Sequence, residues 1–193
     1  MSTPVDSSDI LIRMLPTPNP FALKFVLNVP LKRDGKATFH SPAECEDLPL
    51  VRDLFGIEGV RQVHLFQNTV SVTHEGHMSD FELDEKVQAV LKTRIAVHNP
   101  DFAPELKAAR PHASGVTDPV LREIEEILDR TIRPGLQADG GDIEVHKFEN
   151  DELQIIYQGA CGGCPSSLMG TLDAIQGILR AELGNEKIIV TPI

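Results

Sequence analysis

The sequence predicts an α+β protein made of two small α/β sandwich-like domains. The first reads β-β-α-β-β-α and the second α-β-β-α-β, joined by a proline-rich linker. Three observations carry this. Short apolar–polar alternations recur in both halves, which is strand spacing. Between them lie stretches whose apolar residues recur every three or four positions, which is helix spacing. Periodicity then stops from His98 to Thr117, where Pro100, Pro104 and Pro111 precede Ala113-Ser114-Gly115. Such a stretch is a semi-rigid tether. The expected domains are therefore 12–97 and 118–193, with 98–117 as the linker.

In the first domain, Leu15 to Pro20 is too rich in proline for regular structure. Leu23, Phe25, Leu27 and Val29 alternate as a first strand, and Asp34-Gly35 signals a turn into a second at Ala37 to His40. Pro49 opens a short helix carrying Leu50, Val51, Leu54 and Phe55. Strands from Val60 to Phe66 and from Thr69 to His74 are joined at Gln67-Asn68. A longer helix from Asp80 places Leu83, Val87, Val90, Leu91 and Ile95 on one face. Nothing here reads as catalytic. His74-Glu75-Gly76-His77 has the look of a metal pair but lacks a third ligand, so it reads as solvated loop histidines. Cys45 lies among Glu44, Glu46 and Asp47, whose charges disfavour a thiolate. Lys24 falls on the polar side of a strand and reads as a surface lysine.

The second domain opens with Asp118 as a cap and Pro119 as first helical residue. Val120, Leu121, Ile124, Ile127, Leu128 and Ile132 form its apolar stripe, and Pro134-Gly135 ends it. Asp139-Gly140-Gly141-Asp142 reads as a tight turn into a strand through Ile143 and Val145. Glu149-Asn150-Asp151 turns that strand into the next, marked by Leu153, Ile155 and Tyr157. A helix then carries Leu168, Leu172, Ile175 and Leu179, stops at Gly184-Asn185, and leads to a last strand from Lys187 to Val190.

The chemistry concentrates at Gly159-Ala160-Cys161-Gly162-Gly163-Cys164-Pro165-Ser166-Ser167-Leu168, where strand gives way to helix. Pro165 fits a first helical turn, so Cys161 and Cys164 are expected in the loop and first turn, beside the positive end of the helix dipole. That position favours thiolate over thiol. Gly162 and Gly163 allow a tight fold between the sulfurs. Two such thiolates can act as a dithiol/disulfide pair, hold a structural zinc, or ligate an iron–sulfur cluster. A zinc site needs two further ligands, and His146 is the lone histidine of the second half. A thioredoxin-like dithiol needs further strands and helices after the motif, where a single strand follows.

Composition narrows the classes. The net charge of -11 argues against a nucleic-acid binder, which needs positive surface to replace phosphate counterions. No apolar run is long enough to cross a bilayer. The acidic N-terminus lacks a secretory pattern, which points to the cytoplasm, with the mitochondrial matrix as the alternative if a transit peptide has been removed. Three cysteines cannot pair without one left over, so a reducing compartment is the simpler expectation.

Three blocks in order, Thr131-Ile132-Arg133-Pro134, Asp139-Gly140-Gly141-Asp142 and Gly159 to Ser167, give the second half a close resemblance to the NifU C-terminal (Nfu) domain of iron–sulfur cluster assembly. The first half resembles the Nfu N-terminal domain through Thr17-Pro18-Asn19-Pro20-Phe21-Ala22-Leu23-Lys24-Phe25 and Leu54-Phe55-Gly56-Ile57-Glu58-Gly59-Val60. The resemblance implies a non-enzymatic scaffold or carrier. It would take a cluster, 4Fe–4S by preference and 2Fe–2S as the alternative, on Cys161 and Cys164. It would receive that cluster from an upstream assembly scaffold and pass it to apo iron–sulfur proteins. A cluster usually needs four ligands, and one chain offers two competent thiols, so a cluster-bridged homodimer is expected. Thiol–disulfide exchange by Cys161 and Cys164 is the alternative function.

Overall fold

The computed structural model describes residues 9–103, 119–162 and 165–193, with backbone alone for 165–169. The first sheet has five antiparallel strands, β1 (Ile12–Pro16), β2 (Ala22–Leu27), β3 (Lys32–Phe39), β4 (Val60–Gln67) and β5 (Thr69–His74), in the order β1-β2-β5-β4-β3. Helices α1 (Pro49–Phe55) and α2 (Asp80–Arg94) follow β3 and β5. Leu23, Phe25, Val63, Leu65, Val70 and Val72 alternate onto one face, where they join Leu50, Leu54, Leu83, Val87 and Leu91 of the helices in a single apolar cluster. Helix α2 starts where Ser79 and Glu82 cap one another reciprocally.

Two expectations change here. An extra edge strand, β1, precedes the expected pair and ends on Pro16, since proline is tolerated at a sheet edge where its missing N–H costs no ladder bond. Asp34-Gly35 does not turn the first strand into the second. It lies inside β3, at a register shift between Lys32 and Lys36, while β2 pairs with β5. Gly35 takes a φ of 71°, so its turn chemistry is used for a bulge.

The second sheet runs β6 (Gly141–Glu149), β7 (Glu152–Gly159) and β8 (Ile189–Pro192), in that order. β6 and β7 form a hairpin about Asn150 and Asp151, both at positive φ, and β8 adds parallel to β7 after α5 (Pro165–Leu183). Helix α3 (Pro119–Thr131) packs Ile124, Ile127 and Leu128 against Ile143, Val145, Leu153, Ile155, Ile175 and Leu179. Pro134-Gly135 does not end the helical region. After α3 a short helix α4 (Arg133–Ala138) begins, with the proline in its first turn, where its missing N–H has no partner to lose.

The other face of the first sheet is polar, yet it is covered. Lys24 stands opposite Ser71, Ser71 opposite His64, and His64 opposite Thr38, making one row across four strands. Lys24, Gln62, His64 and Ser71 are all buried. The cover is the second half of the chain, whose β7 lies against β4 and β5.

Candidate metal centre

Cys161 occupies the turn that follows β7. The turn is shaped by glycines that admit no side chain. Gly159 has a φ of 62°, the left-handed region that glycine adopts without strain. Gly162 N–H donates to the Gly159 carbonyl at 2.9 Å, and Ala160 N–H donates to the Gly140 carbonyl at 3.0 Å. The second bond ties the thiol loop to the Asp139–Asp142 turn. Gly141 pairs with Gly159 across the β6–β7 ladder, and a Cβ on Gly141 would overlap Cys161 Sγ. The glycine pair thus leaves the space that the sulfur fills. Helix α5 begins at Pro165, as its proline predicts. Cys164 lies outside the described residues.

Soft sulfur donors suit iron, and the missing side chain of Gly141 leaves the place that Cys161 Sγ takes. Cys161 is nevertheless only 4% exposed and belongs to the second apolar cluster. The turn is therefore closed here. Tyr157 lies in the same cluster, and its phenol is pushed up to about 12 by burial first and then by the negative charge a Cys161 thiolate brings. Among the described residues no group of three His, Cys, Asp or Glu side chains gathers as a metal cage.

The residues closing the loop come from the first half of the chain, and sequence reasoning did not assign them this role. Asn19 Nδ2 donates to the Gly162 carbonyl at 3.3 Å. Its own loop is fixed by Thr17 Oγ1, which accepts from Asn19 N–H at 3.2 Å, and by Asn19 Oδ1, which accepts from Phe21 N–H at 3.0 Å. Lys24 is not a surface lysine. It is 8% exposed and donates to the Gln137 and Ala138 carbonyls at 3.1 and 2.8 Å. Burial lowers its pKa, against the raising effect of Asp139. Lys36 Nζ donates to the Ile143 carbonyl at 2.7 Å and lies 2.8 Å from Asp142 Oδ1.

Asp142 is 1% exposed and accepts from Ile143 N–H at 2.7 Å and Gln137 Nε2 at 3.1 Å, with Arg133 Nε at 3.4 Å. Its turn therefore does more than reverse the chain: it carries the buried charge on which both halves converge. His64 Nδ1 is 2.8 Å from Thr38 Oγ1, and its Cδ2 abuts Gly159. Burial pushes its pKa down to about 4.

The other candidates separate from this site. Cys45 is buried in the first core, where burial first and Glu44 second push its thiol up to about 11. The expectation of a poor thiolate stands, with desolvation as the larger cause. His74 is not a solvated loop residue. It is buried edge-on to Phe21 and accepts from or donates to nothing at Nε2 among the described residues, while its Nδ1 accepts from Gly76 N–H at 3.1 Å.

Residues 12–98 match the family described as "Scaffold protein Nfu/NifU N terminal", and residues 124–190 match the "NifU-like domain". A human protein named "NFU1 iron-sulfur cluster scaffold homolog, mitochondrial" is 34% identical over 89% of this chain and 67% of its own length. The chain belongs to the Nfu family. Members of the same family from Drosophila persimilis, with the same name as the human protein, and from Arabidopsis thaliana, "NifU-like protein 4, mitochondrial", are 31% and 30% identical over 93% and 88% of the chain. The chain spans 64% and 62% of their lengths. A solution structure of a NifU-like protein from Saccharomyces cerevisiae aligns at 18% identity and a TM-score of 0.44, over 50% of this chain and 86% of that one.

Proposed function

We propose that the protein is a non-enzymatic iron–sulfur cluster carrier. It takes a cluster on Cys161 and Cys164 and hands it to apo-proteins. The observation that carries this reading is the seat of Cys161: a thiol on a glycine-lined turn, where a Cβ on Gly141 would overlap the sulfur. Family membership supports the cargo, since relatives are named as cluster scaffolds.

Two thiols per chain and about four ligands per cubane favour a 4Fe–4S cluster shared by two chains. Delivery is then ligand exchange. Thiolates of the acceptor replace those of Cys161 and Cys164 at iron, and the released cysteines regain protons from water. An upstream assembly scaffold would load the chain in the same way. We place the cluster-binding domain at 118–193, the accessory domain at 12–97 and the tether at 98–117, whose first residues, as far as Phe102, still pack on the accessory core. The mitochondrial naming of the relatives supports the matrix over the cytoplasm.

The test is anaerobic reconstitution with iron and sulfide, followed by incubation with an apo-protein that regains activity only with a 4Fe–4S cluster. Transfer at a rate above that of free iron and sulfide is expected. A protein that reduces insulin disulfides but holds no cluster would instead be a dithiol.

A further inference from the structure

The Thr17–Pro20 loop, Lys24 and Lys36 are not explained by cluster ligation, yet all three act on the second domain. They do so around one feature. Asn19 holds Gly162, inside the thiol motif. Lys24 holds the carbonyls of Gln137 and Ala138, just before the Asp139–Asp142 turn. Lys36 holds Asp142 and Ile143, just after it. Gly140 fits so closely under the sheet that a Cβ there would stand 2.6 Å from Ser71 Oγ and 3.1 Å from Lys24 Cδ. A Cβ on Gly162 would stand 3.4 Å from Gln62 Nε2, and one on Gly159 would stand 3.0 Å from His64 Cδ2.

We propose that the first sheet is a removable cover over the Cys161 loop, and that a second copy of this chain takes the place the sheet leaves when a cluster is bound. The inference rests on the shared-cluster reading above. A sulfur that is 4% exposed cannot reach a metal held jointly with another chain, so its loop must open before bridging, and Asn19, Gln62 and His64 of the first half lie against that loop's glycines.

The contact is built to separate. The two apolar clusters share no residue, so no apolar core spans the contact. What joins them is mainly polar, and water can replace it. Gln62 Oε1, His64 Nε2, Ser71 Oγ and Thr73 Oγ1 are buried with no hydrogen-bond partner among the described residues. Groups of this kind lose hydration on docking without a bond in return, which weakens the docked state. Asp142 keeps Arg133, Gln137 and the Ile143 N–H after separation, so its charge is not stranded.

The test uses the full chain and the variant Lys24→Gln/Lys36→Gln, which removes both cationic anchors. Iodoacetamide labelling of the apo-protein is followed by peptide-resolved mass spectrometry. Cys161 is expected to react at least about tenfold faster in the variant, as loss of charge-assisted hydrogen bonds implies. Cys45, buried in the other core, serves as the folding control and should stay protected in both. Cys161 reacting no faster while Cys45 stays protected overturns the cover.

If Cys45 also becomes reactive, the variant has unfolded and the wild type decides. Lys24 and Lys36 should then acetylate slowly in apo-protein and severalfold faster after anaerobic loading with iron and sulfide. Unchanged protection in a loaded dimer overturns the proposal. A chain that takes up no cluster, in either form, refutes the carrier reading instead, and the Cys161 labelling still decides whether the sheet covers the loop.

Discussion

Lys36 Nζ of the first sheet lies 2.8 Å from Asp142 Oδ1, a carboxylate of the second domain that is 1% exposed. Burial lowers the Lys36 pKa, while Asp142 works against that shift by charge and hydrogen bond. Asp142 is the shared counter-ion of Lys36 and Arg133, so removing it leaves two cations facing a site without its anion. Asp142→Ala should destabilise the protein by about 3–5 kcal/mol, the usual range for breaking a buried pair from one side. Urea unfolding followed by circular dichroism measures this, and a loss below about 1 kcal/mol would show that the carboxylate is not integral to the fold.

Gly141 marks the seat of the sulfur. Gly141→Ala places a methyl where Cys161 Sγ lies, and the backbone N of Cys161 is also within 2.8 Å of the added carbon. The expected cost is about 1–3 kcal/mol, typical of forced overpacking. Iron and sulfide content after anaerobic reconstitution should fall with it. Normal loading would place the cluster away from this turn.

The three cysteines should divide two against one. Cys161→Ser and Cys164→Ser should each abolish stable cluster binding, because a serine oxygen is a harder and far less acidic ligand. Cys45→Ser should still load, since that thiol is sealed in the first core with its pKa pushed up to about 11. Loss of the cluster in a folded Cys45→Ser protein would falsify the assignment.

His64 predicts a pH dependence. Its folded pKa is depressed from 6.5 to about 4, so the folded protein binds fewer protons than the unfolded chain between those values. Stability is therefore full above about pH 6.5 and falls as the pH drops toward 4, by up to about 3 kcal/mol at roughly 1.4 kcal/mol per pKa unit. His64→Gln should lose less stability than wild type between pH 7 and pH 4.5. Equal losses in parallel unfolding titrations would show that the imidazole is not held neutral by the docked domains.

Much of this was legible in the sequence. The alternation of Leu23, Phe25 and Leu27, the spacing of Ile124, Ile127 and Leu128, and the helix start at Pro165 state local rules that the fold obeys. What the sequence hid was the second face of the first sheet. Lys24, His64 and Ser71 alternate with core residues, and a polar residue in that position reads as facing water. It faces the other domain instead, and no local pattern encodes a contact across more than a hundred residues, such as Lys24 to Ala138. His74 misled for the same reason, since its burial comes from Phe21 across the sheet edge. The Asp34-Gly35 turn signal was genuine backbone chemistry put to a different use, a bulge within β3.

The division of labour follows from the two separate cores. Residues 118–193 carry the apolar cluster, the glycine turn and the thiol motif, so they should fold alone and still load a cluster, and faster than the full chain does because the sheet is absent. A folded fragment that cannot load would mean that the first domain supplies a ligand.

The central claim is that two chains share one cluster through Cys161 and Cys164. Anaerobic size-exclusion with light scattering, combined with iron and sulfide analysis of each peak, tests it most directly. The account predicts a monomeric apo-protein and a cluster-loaded dimer holding about four irons per two chains, the content of one cubane. It also predicts return to monomer when a chelator removes the iron, because the bridge contributes much of the free energy of association. A monomer that carries a complete 4Fe–4S cluster would contradict it.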